Sequence, residues 1–184
     1  WKLYAYRALG SFSLIHPIFM LYLLDNGLSM AQAMLLQGIF TLGIMVFSVP
    51  AGILADKTGR KKVMVFSTAV FASAHVAYFM SDRFAEFLLA ELCFALSVAC
   101  WDSTWTAFLY DTLKSLKKET SYKHLMGNIF AIDGVSLGLA SVTGGVIASY
   151  LGFRPLFIIT AGFIVIGLFF QLSMREPPIK RAKT

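Results

Sequence analysis

Among the ionisable residues inside the long apolar runs of this 184-residue chain, five are candidates for chemistry: Arg7, His16, Glu91, Asp102 and Asp133. A charge surrounded by hydrocarbon is costly, so each must face a partner, a water-filled cavity or a substrate. The chemistry open to them is ion pairing and proton exchange, because acids and imidazoles trade protons while a guanidinium keeps its charge. Asp102 lies between Trp101 and Trp105, whose rings can receive a cationic or aromatic group. Ser103, Thr104 and Thr106 offer it hydrogen bonds as an alternative. At 100° per residue, Asp111 falls on the opposite helix face from Asp102, while Glu91 falls on nearly the same face, about 16 Å away along the axis. Asp102 is therefore the first candidate for proton or substrate contact, and Asp133 the second. Arg7 has three openings: a pair with Asp133, a pair with Asp102, or a reach to lipid headgroups. Glu91 has two, Arg83 or a bound cation. His16 precedes Pro17, which can bend a helix and free a carbonyl; the imidazole either titrates near neutral pH or, by preference, is held by a structural hydrogen bond.

The elements that must position these groups follow from composition. Hydrophobic residues make up 58% of the chain and charged ones 14%, and the mean hydropathy is +0.71. A soluble domain runs nearer half apolar and a quarter charged, so the excess apolar surface faces lipid. Six runs are long enough to cross a bilayer, roughly 3–24, 28–54, 62–81, 85–111, 124–150 and 154–174. Each is predicted as a helix, which satisfies its own backbone polar groups. Residues 1–174 thus read as an all-α membrane bundle, and 175–184 as a polar, basic loop that leaves it.

The formal charge of +6 does not indicate a nucleic-acid partner. The basic residues sit in short clusters between apolar runs, the pattern that orients loops across a membrane. Counting the N-terminus, the 2–3 and 4–5 loops and the tail gathers 14 of the 16 lysines and arginines; the other three loops hold Arg83 and Arg154. The positive-inside rule then expects both termini in the cytoplasm. Cys93 and Cys100, about 10 Å apart on one helix, are too far apart for a disulfide. The sequence contains no Gly-x-Ser-x-Gly, His-Glu-x-x-His or phosphate-loop pattern, and its three histidines lack metal spacing. No enzyme, metal or cofactor is expected.

The most specific stretch is Gly52-Ile-Leu-Ala-Asp56-Lys-Thr-Gly59-Arg60-Lys61-Lys62 between the second and third runs. Gly52 lets a neighbouring helix approach, Gly59 permits a tight turn, and Asp56 and Arg60 are close enough to pair. This stretch resembles the 2–3 loop motif of the major facilitator superfamily, G-x-L-a-D-r-x-G-R-k, and Arg175-Glu176-Pro177-Pro178 resembles the start of that family's central loop. The resemblance implies the N-terminal six-helix half of a twelve-helix secondary transporter in the plasma or bacterial inner membrane, completed by a second half in the parent chain or by a second copy. It further implies a gate in which Asp56 and Arg60, with Gly52, Gly59 and Lys61, meet Asp111 at the end of helix 4. In helix 5, Asp133, Ser136, Ala140 and Gly144 share one face, beside a stripe of Gly134, Gly138, Ser141 and Gly145. Such stripes serve close helix packing. Gly127, Gly144 and Gly145 also fit the helix-5 motif of drug–proton antiporters, but Ala140 and Ser141 stand where its Gly-Pro pair would be. The expected function is secondary, proton-coupled transport of a small solute by rocking-bundle alternating access, with multidrug-type efflux as one form. The alternative is a membrane scaffold or sensor that keeps the fold without transport.

Overall fold

A computed structural model of the protein describes residues 1–174, and among these residues six helical spans have membrane-crossing length. The polar, basic loop expected over 175–184, including Arg175-Glu176-Pro177-Pro178, lies outside the described residues. The first span comprises α1 (Lys2–Ser11), a 3-10 turn (His16–Ile18) and α2 (Phe19–Asp25). The second is α3 (Met30–Thr58) and the third α4 (Arg60–Met80). The fourth comprises α5 (Phe84–Asp102) and α6 (Trp105–Ser115). A 3-10 turn (Glu119–Ser121) leads into α7 (Tyr122–Leu151), and α8 (Arg154–Leu172) is the sixth. Helix α4 is central, packing along α5, α8 and α3, while α1 packs on α8 and α7.

Several boundaries differ from the sequence expectation for identifiable reasons. The second span continues to Thr58 and the third begins at Arg60, so the expected 2–3 loop shrinks to Gly59. Gly59 has φ of 108°, a conformation that a side chain disfavours. Asp56 consequently sits in the last turn of a helix rather than in a loop. The fourth span is longer than expected and is interrupted at Ser103 and Thr104. There the Thr104 hydroxyl donates to the Cys100 carbonyl at 2.6 Å and the Ser103 hydroxyl to the same oxygen at 3.2 Å. Hydroxyls bonded back to the preceding turn bend helices.

The largest departure is in the first span, which loses helical form over residues 12–15. Pro17 has no N–H to return to the Ser13 carbonyl, and its ring crowds that carbonyl. Irregular backbone at membrane depth is tolerated only where protein covers it. Here Leu14 and Ile15 are almost fully buried. The Leu14 N–H donates to the Thr160 hydroxyl of α8 at 3.3 Å. Its carbonyl lies against Gly144 of α7, where a Cβ would stand 2.2 Å from the oxygen. The Asp133 stripe of α7 (Ser136, Ala140 and Gly144) is buried against the first span, as small-residue packing requires. The adjoining glycines Gly134, Gly138 and Gly145 have open space within this chain.

The core between these elements is aromatic. Tyr22, Tyr78, Phe87 and Phe157 are fully buried. Tyr78 and Phe157 stack with centroids 5.3 Å apart, and the Tyr22 hydroxyl donates to the Tyr78 carbonyl at 2.7 Å. At the lysine-poor end, the Arg154 guanidinium joins three turns, donating to Asn26 Oδ1 at 2.9 Å, to the Ser81 carbonyl at 3.2 Å and to Asp82. At the other end, Lys61 Nζ donates to the Leu172 carbonyl at 2.7 Å, satisfying an orphan acceptor where α8 finishes. Large apolar side chains such as Leu42, Met45, Val46 and Val49 of α3 and Val135, Leu139 and Val142 of α7 remain exposed, a surface suited to lipid or to another helical bundle.

The close approach at Gly144 is directly testable. Gly144→Ala is expected to destabilise the protein by about 1–3 kcal/mol through overpacking against fixed backbone, measured as the detergent-solubilised thermal midpoint. Gly10→Ala, where a Cβ meets nothing within 4 Å, serves as the control and should leave the midpoint unlowered.

Candidate functional site

The intramembrane charges fall into separate groups. Arg7 of α1 reaches across to Asp133 of α7: its Nε donates to Asp133 Oδ1 at 3.2 Å and Nη2 donates to Oδ2. Ser11, one turn further along α1, donates its hydroxyl to Asp133 Oδ1 at 2.7 Å. The two charged side chains are each only 19% exposed. Trp101 and Trp105 stack on each other at 5.0 Å, and the guanidinium carbon of Arg7 lies 5.2 and 5.1 Å from their ring centroids. The cation those rings were expected to receive is thus an arginine of the same chain. The bidentate, aromatic-backed arrangement uses properties that lysine lacks.

Arg7 therefore takes the Asp133 partner among its three openings. Asp102 is exposed at the end of α5 and has no hydrogen-bond or ion-pair partner among the described residues. The hydroxyls of Ser103 and Thr104, which could have satisfied it, are turned to the Cys100 carbonyl. A helix broken at this point no longer carries the uniform 100° phase that related Asp102 to Asp111.

Beside the ion pair is a cavity of about 170 Å³ whose wall includes Arg7, Ser11, Ser67, Thr68, Ser97 and Trp101. Ser67 and Ser97 cross-bond α4 to α5, each donating to the other's carbonyl at 2.8 and 2.9 Å. A second cavity, of about 190 Å³, lies beneath His16, with Gln37, His75 and Glu91 in its wall. Glu91 is buried and accepts from the Tyr78 hydroxyl and from Gln37 Nε2 at 3.2 Å. Arg83 is not among its partners in the described residues. His16 is exposed and has no hydrogen-bond partner among the described residues, contrary to the preference for a bonded histidine. The buried histidine is His75, whose Nδ1 bonds the Phe71 carbonyl at 2.8 Å.

At the lysine-rich end, Arg60 pairs with Asp111, with side chains 26% and 34% exposed. The third expected member of that cluster, Asp56, is exposed and unpartnered among the described residues. Gly52 has open space where a close neighbour was expected. Sequence reasoning passed over Ser11, Gln37, Tyr78 and Arg154. The signal for Gln37 and Tyr78 was present, since each is a polar group set in an apolar run, but their partners lie on other helices.

The family profile of the Major Facilitator Superfamily matches residues 7–184. The chain belongs to the Major Facilitator Superfamily. Relatives within it include the inner membrane transport protein YajR of Escherichia coli, 30% identical over 90% of this chain and 35% of that protein. The uncharacterized transporter BU466 of Buchnera aphidicola is 29% identical over 97% of this chain and 45% of its own length. The quinolone resistance protein NorA of Staphylococcus aureus is 24% identical over 89% and 41%. The chain thus spans less than half the length of these superfamily relatives. With six spans of membrane-crossing length among the described residues, it is a multi-pass membrane protein.

The ion pair makes a quantitative prediction. Arg7→Gln leaves Asp133 half-buried without a counter-charge and should cost about 3 kcal/mol. Removing both charges with Arg7→Gln and Asp133→Asn should cost clearly less than the sum of the single changes. A double-mutant cycle on thermal or denaturant midpoints checks this, and additive effects would mean that the pair is not coupled.

Proposed function

We propose that the intact protein is a secondary transporter that moves a small solute across the cell membrane in exchange for, or together with, protons. In this reading the described bundle is one of two that rock about a shared cavity, with the second supplied by the parent chain or by another copy. The observation that carries it is the Arg7–Asp133 pair, whose arginine lines a cavity between spans of one bundle. An acid in that position can accept a proton and release its arginine, which changes the balance of charge between the first and fifth spans. A proton that alters the energy difference between two conformers links its own gradient to the solute's. This weighting moves the primary proton role from Asp102 to Asp133. Asp102, Glu91 and His16 remain candidate contacts facing the shared cavity.

Arg60–Asp111, with Asp56, Gly59 and Lys61 around it, forms the candidate gate. It links the start of the third span to the end of the fourth on the face that positive-inside charge assigns to the cytoplasm. The relative named for quinolone resistance supports drug efflux as one form of the transport.

Coupling is tested with the full-length protein reconstituted in vesicles under an imposed pH gradient. Asp133→Asn should abolish gradient-driven solute accumulation while leaving solute exchange at equal pH. Accumulation equal to that of the unmodified protein would remove Asp133 from the coupling role.

A further inference from the structure

The two cavities differ in the sign of charge in their walls. The one under His16 contains the carboxylate of Glu91. The one beside Trp101 contains no acid among its lining residues, and its single charged lining group is Arg7. Arg7 offers five N–H donors, of which Asp133 engages Nε and one on Nη2. Nη1 has no hydrogen-bond partner among the described residues. Asp133 approaches the guanidinium from α7 and is not part of the cavity wall. An entering solute therefore meets a cation whose counter-ion stands to one side.

The rest of the wall narrows the chemistry. Tyr6 and Trp101, in contact with each other at a centroid distance of 5.6 Å and tilted, both line the space, with Phe71 also in the lining. Guanidinium plus aromatic surface is the combination that holds a planar carboxylate joined to an aryl ring, by a fork of N–H donors and by ring contact. Asp102 also lies near enough to Arg7 to attract it, but it is exposed, so water screens its repulsion of an entering anion.

We propose that the cavity beside Arg7 binds an aromatic carboxylate, whose anionic group takes the place of Asp133 on the guanidinium. Asp133 is then an internal stand-in for the substrate, holding Arg7 satisfied while the site is empty. The inference rests on the transport reading for its account of why such a cavity exists, and it adds the substrate class. No covalent step is involved; one carboxylate replaces another on the guanidinium.

The test uses the purified full-length protein in detergent with benzoate as probe, benzamide as its neutral counterpart and benzamidine as its cationic one. Binding is read by tryptophan fluorescence, because Trp101 and Trp105 lie against Arg7, and is checked by calorimetry. Benzoate should bind saturably, and benzamide and benzamidine should bind at least about tenfold more weakly, the scale of one hydrogen bond to a charged group. Asp133→Asn, which removes the internal competitor, should tighten benzoate by about tenfold. The double change Arg7→Gln with Asp133→Asn removes both charges together and should abolish benzoate binding. Benzamidine binding as tightly as benzoate, Asp133→Asn leaving benzoate affinity unchanged or weaker, or the double variant binding benzoate normally would each overturn the proposal. Should Asp133→Asn prove too unstable to purify, the unmodified and double variants decide the matter alone. Loss of the anion preference alongside proton-driven transport that still needs Asp133 would sink this inference and leave the transport reading standing.

Discussion

A guanidinium and a carboxylate placed at membrane depth must find each other, because neither can be left facing hydrocarbon. In this protein that requirement joins the first span to the fifth through Arg7 and Asp133, with Ser11 filling a further acceptor position on the carboxylate. The meeting is possible only because the two spans come very close together. Pro17 breaks the first span, the freed backbone at Leu14 must be covered, and Gly144 lets α7 lie directly against it. The same stripe of small residues that covers the break also carries Asp133, so backbone irregularity, close packing and charge pairing are one arrangement.

Two further arginine–aspartate pairs stand at the ends of the bundle. Arg154 binds the three lysine-poor turns to one another, and Arg60 with Asp111 links the third and fourth spans at the lysine-rich end. The end pairs are more exposed than the central one, so water screens them and each contributes less to stability. A bundle fastened at both ends moves most easily as a unit. The apolar faces left open on α3 and α7 are where it can meet lipid or another helical bundle.

The spans were legible in the sequence because the bilayer imposes a length and a composition that a single chain displays directly. The turn at Gly59 was legible for the same kind of reason, since glycine and flanking charges mark it locally. The Arg60–Asp111 pair required the family resemblance as well, because its members lie in different spans. What the sequence could not supply was azimuth: which way each helix faces its neighbours. The assumption of an unbroken 100° phase failed in the fourth span, where Ser103 and Thr104 turn their hydroxyls onto Cys100 and interrupt the helix. Asp102 therefore stands exposed, and Trp101 and Trp105 meet Arg7. Glu91 is bound by Tyr78 and Gln37, two residues on other spans that no local pattern connects to it.

The central claim is that Asp133 exchanges its hold on Arg7 for a proton during the working cycle. Infrared difference spectroscopy on the reconstituted full-length protein, with aspartate carboxyls isotopically labelled, reads this most directly. Addition of solute at a pH that supports transport should produce the carbonyl band of a protonated aspartic acid, and Asp133→Asn should remove that band. A band that survives in Asp133→Asn, or the absence of any new protonated carboxyl in the unmodified protein, would contradict it.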